Sequence, residues 1–194
     1  MKIVFASSNA GKWNELNALL QPYGIALVMQ HVLGVSDIPE TQPTFIENAL
    51  LKARHACRVT GLPAIADDSG LAVCALNGEP GIYSARYAGP QCSVEDNIKK
   101  LLTALQGVPE EKRQAVFHCI LVYLKHEQDP TPLICEGRWE GVMLTEKRGA
   151  NGFGYDPIFY DPLQHKTAAE LSLAIKNHIS HRGQALRCLI AHLR

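Results

Sequence analysis

The chain has 194 residues, 46% hydrophobic and 20% charged, the make-up of a globular protein with room for one generous core. Nineteen basic and nineteen acidic residues cancel, so no overall field recruits nucleic acid or an anionic membrane, and an anionic ligand has to be met by local charges. The opening apolar run, Met1 to Ala6, is too short for a signal peptide, and no stretch approaches the roughly eighteen apolar residues that cross a bilayer. Cysteines 57, 74, 92, 119, 135 and 188 form no C-x-x-C pair and no metal-ligand spacing, and several sit inside apolar runs. A cytoplasmic protein with reduced thiols is expected.

In chain order, residues 2–6 read as a buried strand and 12–21 as a helix with Trp13, Leu16, Leu19 and Leu20 on one face. A strand fits Ile25 to Met29. Thr44-Phe-Ile-Glu47 is a capping box that opens a helix to about residue 59, with Phe45, Ala49, Ala53 and Ala56 inward. Two short strands, 63–67 and 71–75, flank an Asp67-Asp68-Ser69-Gly70 turn. Ser93-Val-Glu-Asp96 starts a helix carrying Ile98, Leu101, Leu102 and Leu105. Two long extended segments follow, 114–125 and 133–145; the first is apolar at nearly every position, which places it centrally in a sheet. Thr167-Ala-Ala-Glu170 is a further capping box, and a last helix begins after Ser180 with Ala185, Leu186, Leu189 and Leu193 inward. The alternation describes a single α/β domain, residues 1–194, built on a mixed sheet with flanking helices.

The chemistry concentrates in the polar connections. A buried strand that delivers Asp67 and Asp68 to its end pays to desolvate two carboxylates unless a cation or a lysine pairs them. Ser7-Ser8-Asn9-Ala10-Gly11-Lys12 follows the first strand and opens the first helix, which suits either an anion cradle with Lys12 as a point charge or a plain capped helix start. It is not a P-loop, because G-x-x-x-x-G-K-[ST] is absent. Lys52, beside an apolar stripe, either snorkels to solvent or reaches back toward phosphates or the aspartates. Glu47 has a capping role, which leaves Glu40, in a loop, as the better metal candidate. In Asn151-Gly152-Phe153-Gly154-Tyr155-Asp156-Pro157 the glycines leave Phe153 open to stack a flat base, a contact of about 1–3 kcal/mol; an aromatic-stapled turn is the structural alternative. Lys176, His178, His181, Arg182 and Gly183 form a donor-rich cluster in which His181 and Arg182 suit a carbonyl oxygen.

Together these segments resemble the inosine triphosphate pyrophosphatase family, enzymes that destroy deaminated purine nucleoside triphosphates. The resemblance rests on S-S-N-A-G-K (7–12), T-F-I-E-N-A-L-L-K-A-R (44–54), A-D-D-S-G-L (66–71), P-G-I-Y-S-A-R-Y-A-G (80–89), G-F-G-Y-D-P (152–157) and S-H-R-G-Q-A-L (180–186), in the family's order and across almost the whole chain. One departure is Ser8, where relatives often carry glycine before the asparagine. The resemblance implies an elongated mixed sheet joining two lobes, a central substrate cleft, a homodimer and a Mg²⁺ requirement. It further implies Asp68 as the general base close to the metal and Glu40 as a metal ligand. Ser7, Ser8, Asn9, Ala10, Gly11 and Lys12 would grip the triphosphate, with Lys52 and Ser69 also on the substrate. Phe153, Gly154, Tyr155, Asp156, Lys176, His181 and Arg182 would hold base and sugar. The activity implied is cleavage of ITP, dITP and XTP to the monophosphate and pyrophosphate. A septum-inhibitor-type pyrophosphatase acting on modified pyrimidines fits the G-F-G-Y-D-P and S-H-R-G segments less well. An aspartyl-phosphate phosphatase lacks its D-x-D spacing, and a non-catalytic nucleotide-binding regulator has no need of Asp68.

Overall fold

The structure, a computed structural model, describes residues 2–193. In chain order the strands and helices are β1 (Lys2–Phe5), α1 (Ala10–Leu20), β2 (Ala26–Met29), α2 (Phe45–Thr60), β3 (Ala64–Val73), α3 (Val94–Ala104), β4 (Gln114–Leu124), β5 (Leu133–Met143), β6 (Phe159–Asp161), β7 (Lys166–Thr167), α4 (Leu173–Ile179) and α5 (His181–Leu193). The strands form one seven-stranded sheet in the order β2-β1-β3-β4-β5-β6-β7. It is mixed: β1 runs parallel to β2 and β3, whereas β5–β6 and β6–β7 are antiparallel.

The chain divides into two compact units. The first takes the residues up to Asp68, Cys119–Gly137 and those from Arg182 onward; the second takes Ser69–His118 and Arg138–His181. In the first unit the strands are apolar on both faces, and side chains alternate between them as a pleated strand requires. Ile3, Phe5, Ile65, Cys119 and Leu121 pack with Leu16 and Leu20 of α1 and with Ala185, Leu186 and Leu189 of α5. Val4, Ala64, Ala66, Ile120 and Val122 pack on the other side with Ala49, Ala53 and Ala56 of α2. Helices on both faces of parallel strands need such two-sided burial, which explains the near-continuous apolar character of the second half of β4. The second unit has its own core, where Leu71, Val73, Phe117, Trp139 and Met143 meet Ile98, Leu101 and Leu105 of α3. Strand β5, whose first residues belong to the first unit, alternates, with Glu136, Arg138 and Glu140 exposed between buried neighbours.

Helix boundaries follow the capping chemistry. Thr44 accepts from the Glu47 amide ahead of α2, and Ser93 and Asp96 complete a reciprocal box ahead of α3. The box at Thr167 and Glu170 forms as well, but it opens a single 3₁₀ turn, and α4 begins only after Ser172. The main departure from expectation is β3. Residues 64–73 are one unbroken strand, and Asp67-Asp68-Ser69-Gly70 is not a turn. The strand is anchored by β1 through Val4↔Ala64 and Phe5↔Ile65, with β4 as its other neighbour. Both carboxylates find cations while still in the strand, so no turn is needed to return them to solvent.

Candidate active site

Asp67 and Asp68 are consecutive on β3, so they project to opposite faces of the sheet. That geometry gives them different surroundings and different acid–base character.

Asp67, fully buried, points to the face covered by α1 and α5. Its Oδ1 is paired with the Lys12 ammonium, its Oδ2 accepts from Arg182 Nε at 3.0 Å, and the Cys119 thiol donates to the same oxygen at 3.2 Å. Burial alone would raise its pKa, but the Lys12 and Arg182 charges, with Lys52 behind them, hold the carboxyl well below the usual carboxylate range. Arg182 is itself buried, and its NH1 donates to buried Glu15 at 2.5 Å. Between its two carboxylates the guanidinium is held above its ordinary value despite burial. Glu15 carries no signal in the sequence, standing as one acidic residue on an amphipathic helix; only the buried Arg182 opposite it reveals its part.

Asp68 points to the α2 face. Lys52 does not snorkel: its ammonium turns inward and donates to Glu40 Oε1 at 2.7 Å, to the Asp67 carbonyl at 2.7 Å and to Asp68 Oδ1 at 3.0 Å. These three bonds use all three of its hydrogens. Burial lowers its pKa, and the Asp68 and Glu40 charges more than restore it, so Lys52 stays charged. Burial pushes Asp68 up to about 6, with Lys52 pulling down and Glu40 pushing further up. Asp68 Oδ2 is buried and meets no hydrogen-bond donor. Two carboxylates converging on one ammonium, one of them with an orphaned oxygen, are a donor set suited to a hard divalent cation. The two environments drive the neighbouring carboxyls apart in acidity: Asp67 is held ionised, while Asp68 is raised toward neutrality.

The segment between β1 and α1 forms the capped helix start. Asn9 caps α1 by accepting from the Lys12 amide at 3.0 Å. Ser7 accepts from the Asn9 amide. Ser8 donates to Asp37 at 2.8 Å, which gives the serine that replaces glycine an anchor of its own. Ala10 is exposed and Gly11 half-buried in the first turn.

In the second unit, Asp156 organises the 152–157 segment. Its Oδ2 accepts from the Phe153 amide at 2.9 Å and from Lys176 Nζ at 2.7 Å, and both partners of this ion pair are buried. Gly152 has φ +78, and a Cβ there would lie 2.1 Å from that same carboxylate oxygen, so only glycine lets Asp156 fold back. Lys176 Nζ also stands 4.9 Å from the centre of the Phe153 ring. Gly154 is half-buried beside it. Tyr155 is buried, and its hydroxyl is spent on the Ser84 carbonyl at 2.9 Å. Ser69, next along β3, is half-buried.

His181 stacks on Phe117, with ring centres 4.8 Å apart and planes at 10°, in a cluster with Trp139 and Phe159. His181 and Arg182, expected as one donor pair, thus keep separate company: the imidazole stands among aromatics and the guanidinium between carboxylates. His178 is exposed on α4.

The Ham1 family profile matches residues 3–192. Proteins named dITP/XTP pyrophosphatase from Shigella flexneri and Yersinia pseudotuberculosis are 60% and 61% identical to the chain, each over its full length and 98% of the relative. Among solved structures, a HAM1 protein from Coxiella burnetii has a TM-score of 0.92 at 51% identity, covering 100% of this chain and 98% of that one. A nucleoside-triphosphatase / dITP/XTP pyrophosphatase from Mycobacterium abscessus has a TM-score of 0.77 at 42% identity, with both chains covered completely.

Proposed function

The chain belongs to the Ham1 family, and from that premise we propose that it is a pyrophosphohydrolase of dITP, ITP and XTP, releasing pyrophosphate and the monophosphate. The observation that carries the chemistry is the division of β3: a buried Asp68 pushed up to about 6 beside an Asp67 held ionised by Lys12 and Arg182. We read the protein further as a cytoplasmic homodimer with the nucleotide held in a cleft. No helix among the described residues is long and apolar enough to cross a membrane.

In this reading Ser7 to Lys12 meet the triphosphate at the α1 N-terminus, where backbone amides and the Lys12 charge favour an anion. Lys52 adds a second charge and orients Asp68 and Glu40. Asp68 accepts the proton of the attacking water, a role worth about 10²–10⁴-fold in rate. Glu40 and Asp68 Oδ2 would hold Mg²⁺, whose chemistry when bound is to neutralise charge developing on the phosphates. Ser69 contacts the nucleotide next to the base. Phe153 and Gly154, with Lys176 fixed by Asp156, offer a stacking face and a cation to base and sugar, and Tyr155 braces that segment from below. His181 presents a donor to the C6 oxygen of hypoxanthine or xanthine, where adenine carries an amino group. An unpaired buried donor costs about 1–3 kcal/mol, which is about 5- to 160-fold in rate against ATP.

Product analysis tests this reading. With Mg²⁺, ITP and XTP should yield pyrophosphate and no orthophosphate, with ATP and GTP much slower, and orthophosphate as the first product would overturn it. A chelator should abolish turnover, and Mg²⁺ should restore it; turnover that persists in chelator removes the metal role of Glu40 and Asp68.

A further inference from the structure

On the α1/α5 side of the first unit, Cys135 of β5 meets Cys188 and His192 of α5. Two thiol sulfurs and an imidazole nitrogen lie within 4.8 Å of one another. Cys188 and His192 are one helical turn apart, so both project from the same side of α5. Cys135 faces them from the strand, within the core that Ala185, Leu186 and Leu189 complete. Both cysteines are free thiols. His192 Nδ1 lies 2.8 Å from the Cys188 carbonyl oxygen. A carbonyl only accepts, so Nδ1 carries the hydrogen and Nε2 keeps its lone pair. This is the outer contact that fixes the tautomer of metal-binding histidines. Burial is graded from buried Cys135 through half-buried Cys188 to exposed His192, which leaves a way in from solvent.

We propose that Cys135, Cys188 and His192 form a binding site for one thiophilic metal ion, Zn²⁺ foremost, with its fourth position open to water. Two sulfurs and one imidazole suit Zn²⁺ or Cu⁺ and are the wrong donors for Mg²⁺. Zn–S bonds of about 2.3 Å and Zn–N bonds of about 2.0 Å place tetrahedral ligands about 3.6–3.8 Å apart. Side-chain rotations of about an ångström therefore close the site from its present spread. Binding replaces the two S–H protons, which leave to solvent, with two sulfur–metal bonds and one nitrogen–metal bond. The bound ion would tie α5 to β5.

Cobalt reports on this site without relying on activity. Full-length protein, kept reduced and saturated with Mg²⁺ to occupy oxygen-ligand positions, is titrated with Co²⁺. One equivalent should bind with thiolate-to-cobalt charge-transfer absorption, and one equivalent of Zn²⁺ should bleach it. Cys188→Ser, at a half-buried position, should lose the absorption, and His192→Ala, at an exposed one, should weaken binding by at least about tenfold. Both variants should keep wild-type Mg²⁺-dependent turnover. Absence of the charge-transfer band, its survival in Cys188→Ser, or a Cys135–Cys188 disulfide persisting under reductant would each overturn the proposal.

Discussion

Asp68→Asn is expected to slow turnover of ITP at least about 100-fold, the lower end of what a positioned base contributes, while nucleotide binding persists. Asparagine keeps the shape of the side chain and its bond to Lys52 but cannot accept the proton of water. The same variant should be more stable than the parent when no metal is present. In the parent, the carboxyl is pushed up to about 6 from an ordinary value of 3.8, so its ionised form costs the folded state about 1–3 kcal/mol. For an acid raised on folding, that cost is present in full above the folded value. It disappears as pH falls from about 6 toward about 4, where the parent takes up the proton. The melting-temperature gap in chelator should therefore be several degrees at about pH 8 and close toward about pH 4. Near-normal turnover would remove Asp68 as the base, and a gap that does not change with pH would remove its raised proton affinity.

Arg182→Met should cost about 3–5 kcal/mol, because it removes the buried guanidinium that pairs with Glu15 on one side and with Asp67 on the other. For a chain of this size that is a fall in melting temperature of about 6–20 °C. Adding Glu15→Gln to Arg182→Met should recover part of the loss, since it removes one of the two carboxylates that Arg182 paired, and the coupling is read from a double-mutant cycle. Should Arg182→Met melt like the parent yet lose its preference for ITP over ATP, the guanidinium would act on the base, as the family resemblance implies, and not as the support of Asp67.

The helices were legible because their signals are local. The reciprocal Ser93–Asp96 box, the Thr44 cap and apolar residues at helical spacing place α2, α3 and α5 to within a residue or two. The strand carrying the site was obscured by its own chemistry. Asp-Asp-Ser-Gly has turn composition, and only the cations supplied by α1, α2 and α5 let it stay extended. With β3 unbroken, alternation alone would have separated Asp67 from Asp68, since Ile65 and Ala66 before them already belong to opposite cores. Lys52 was ambiguous for a related reason, as inward or outward turning depends on acceptors that lie twelve or more positions away. Glu15–Arg182 and Cys135–Cys188 are contacts between distant parts of the chain, and no local spacing announces them.

The composition of the first unit also bears on how the protein is made. Its hydrophobic core and its Asp67 network both need α5, the last described helix to be synthesised, and the Glu15–Arg182 pair joins positions 167 apart. Until α5 is available, Asp67 and Glu15 lack the Arg182 guanidinium, and Ile3, Phe5 and Leu16 lack the α5 side chains that share their core. Contacts so far apart in sequence form late, because the intervening chain has to be ordered before they reward it. The Asp67–Arg182–Glu15 network therefore closes late in folding, once α5 is available to it.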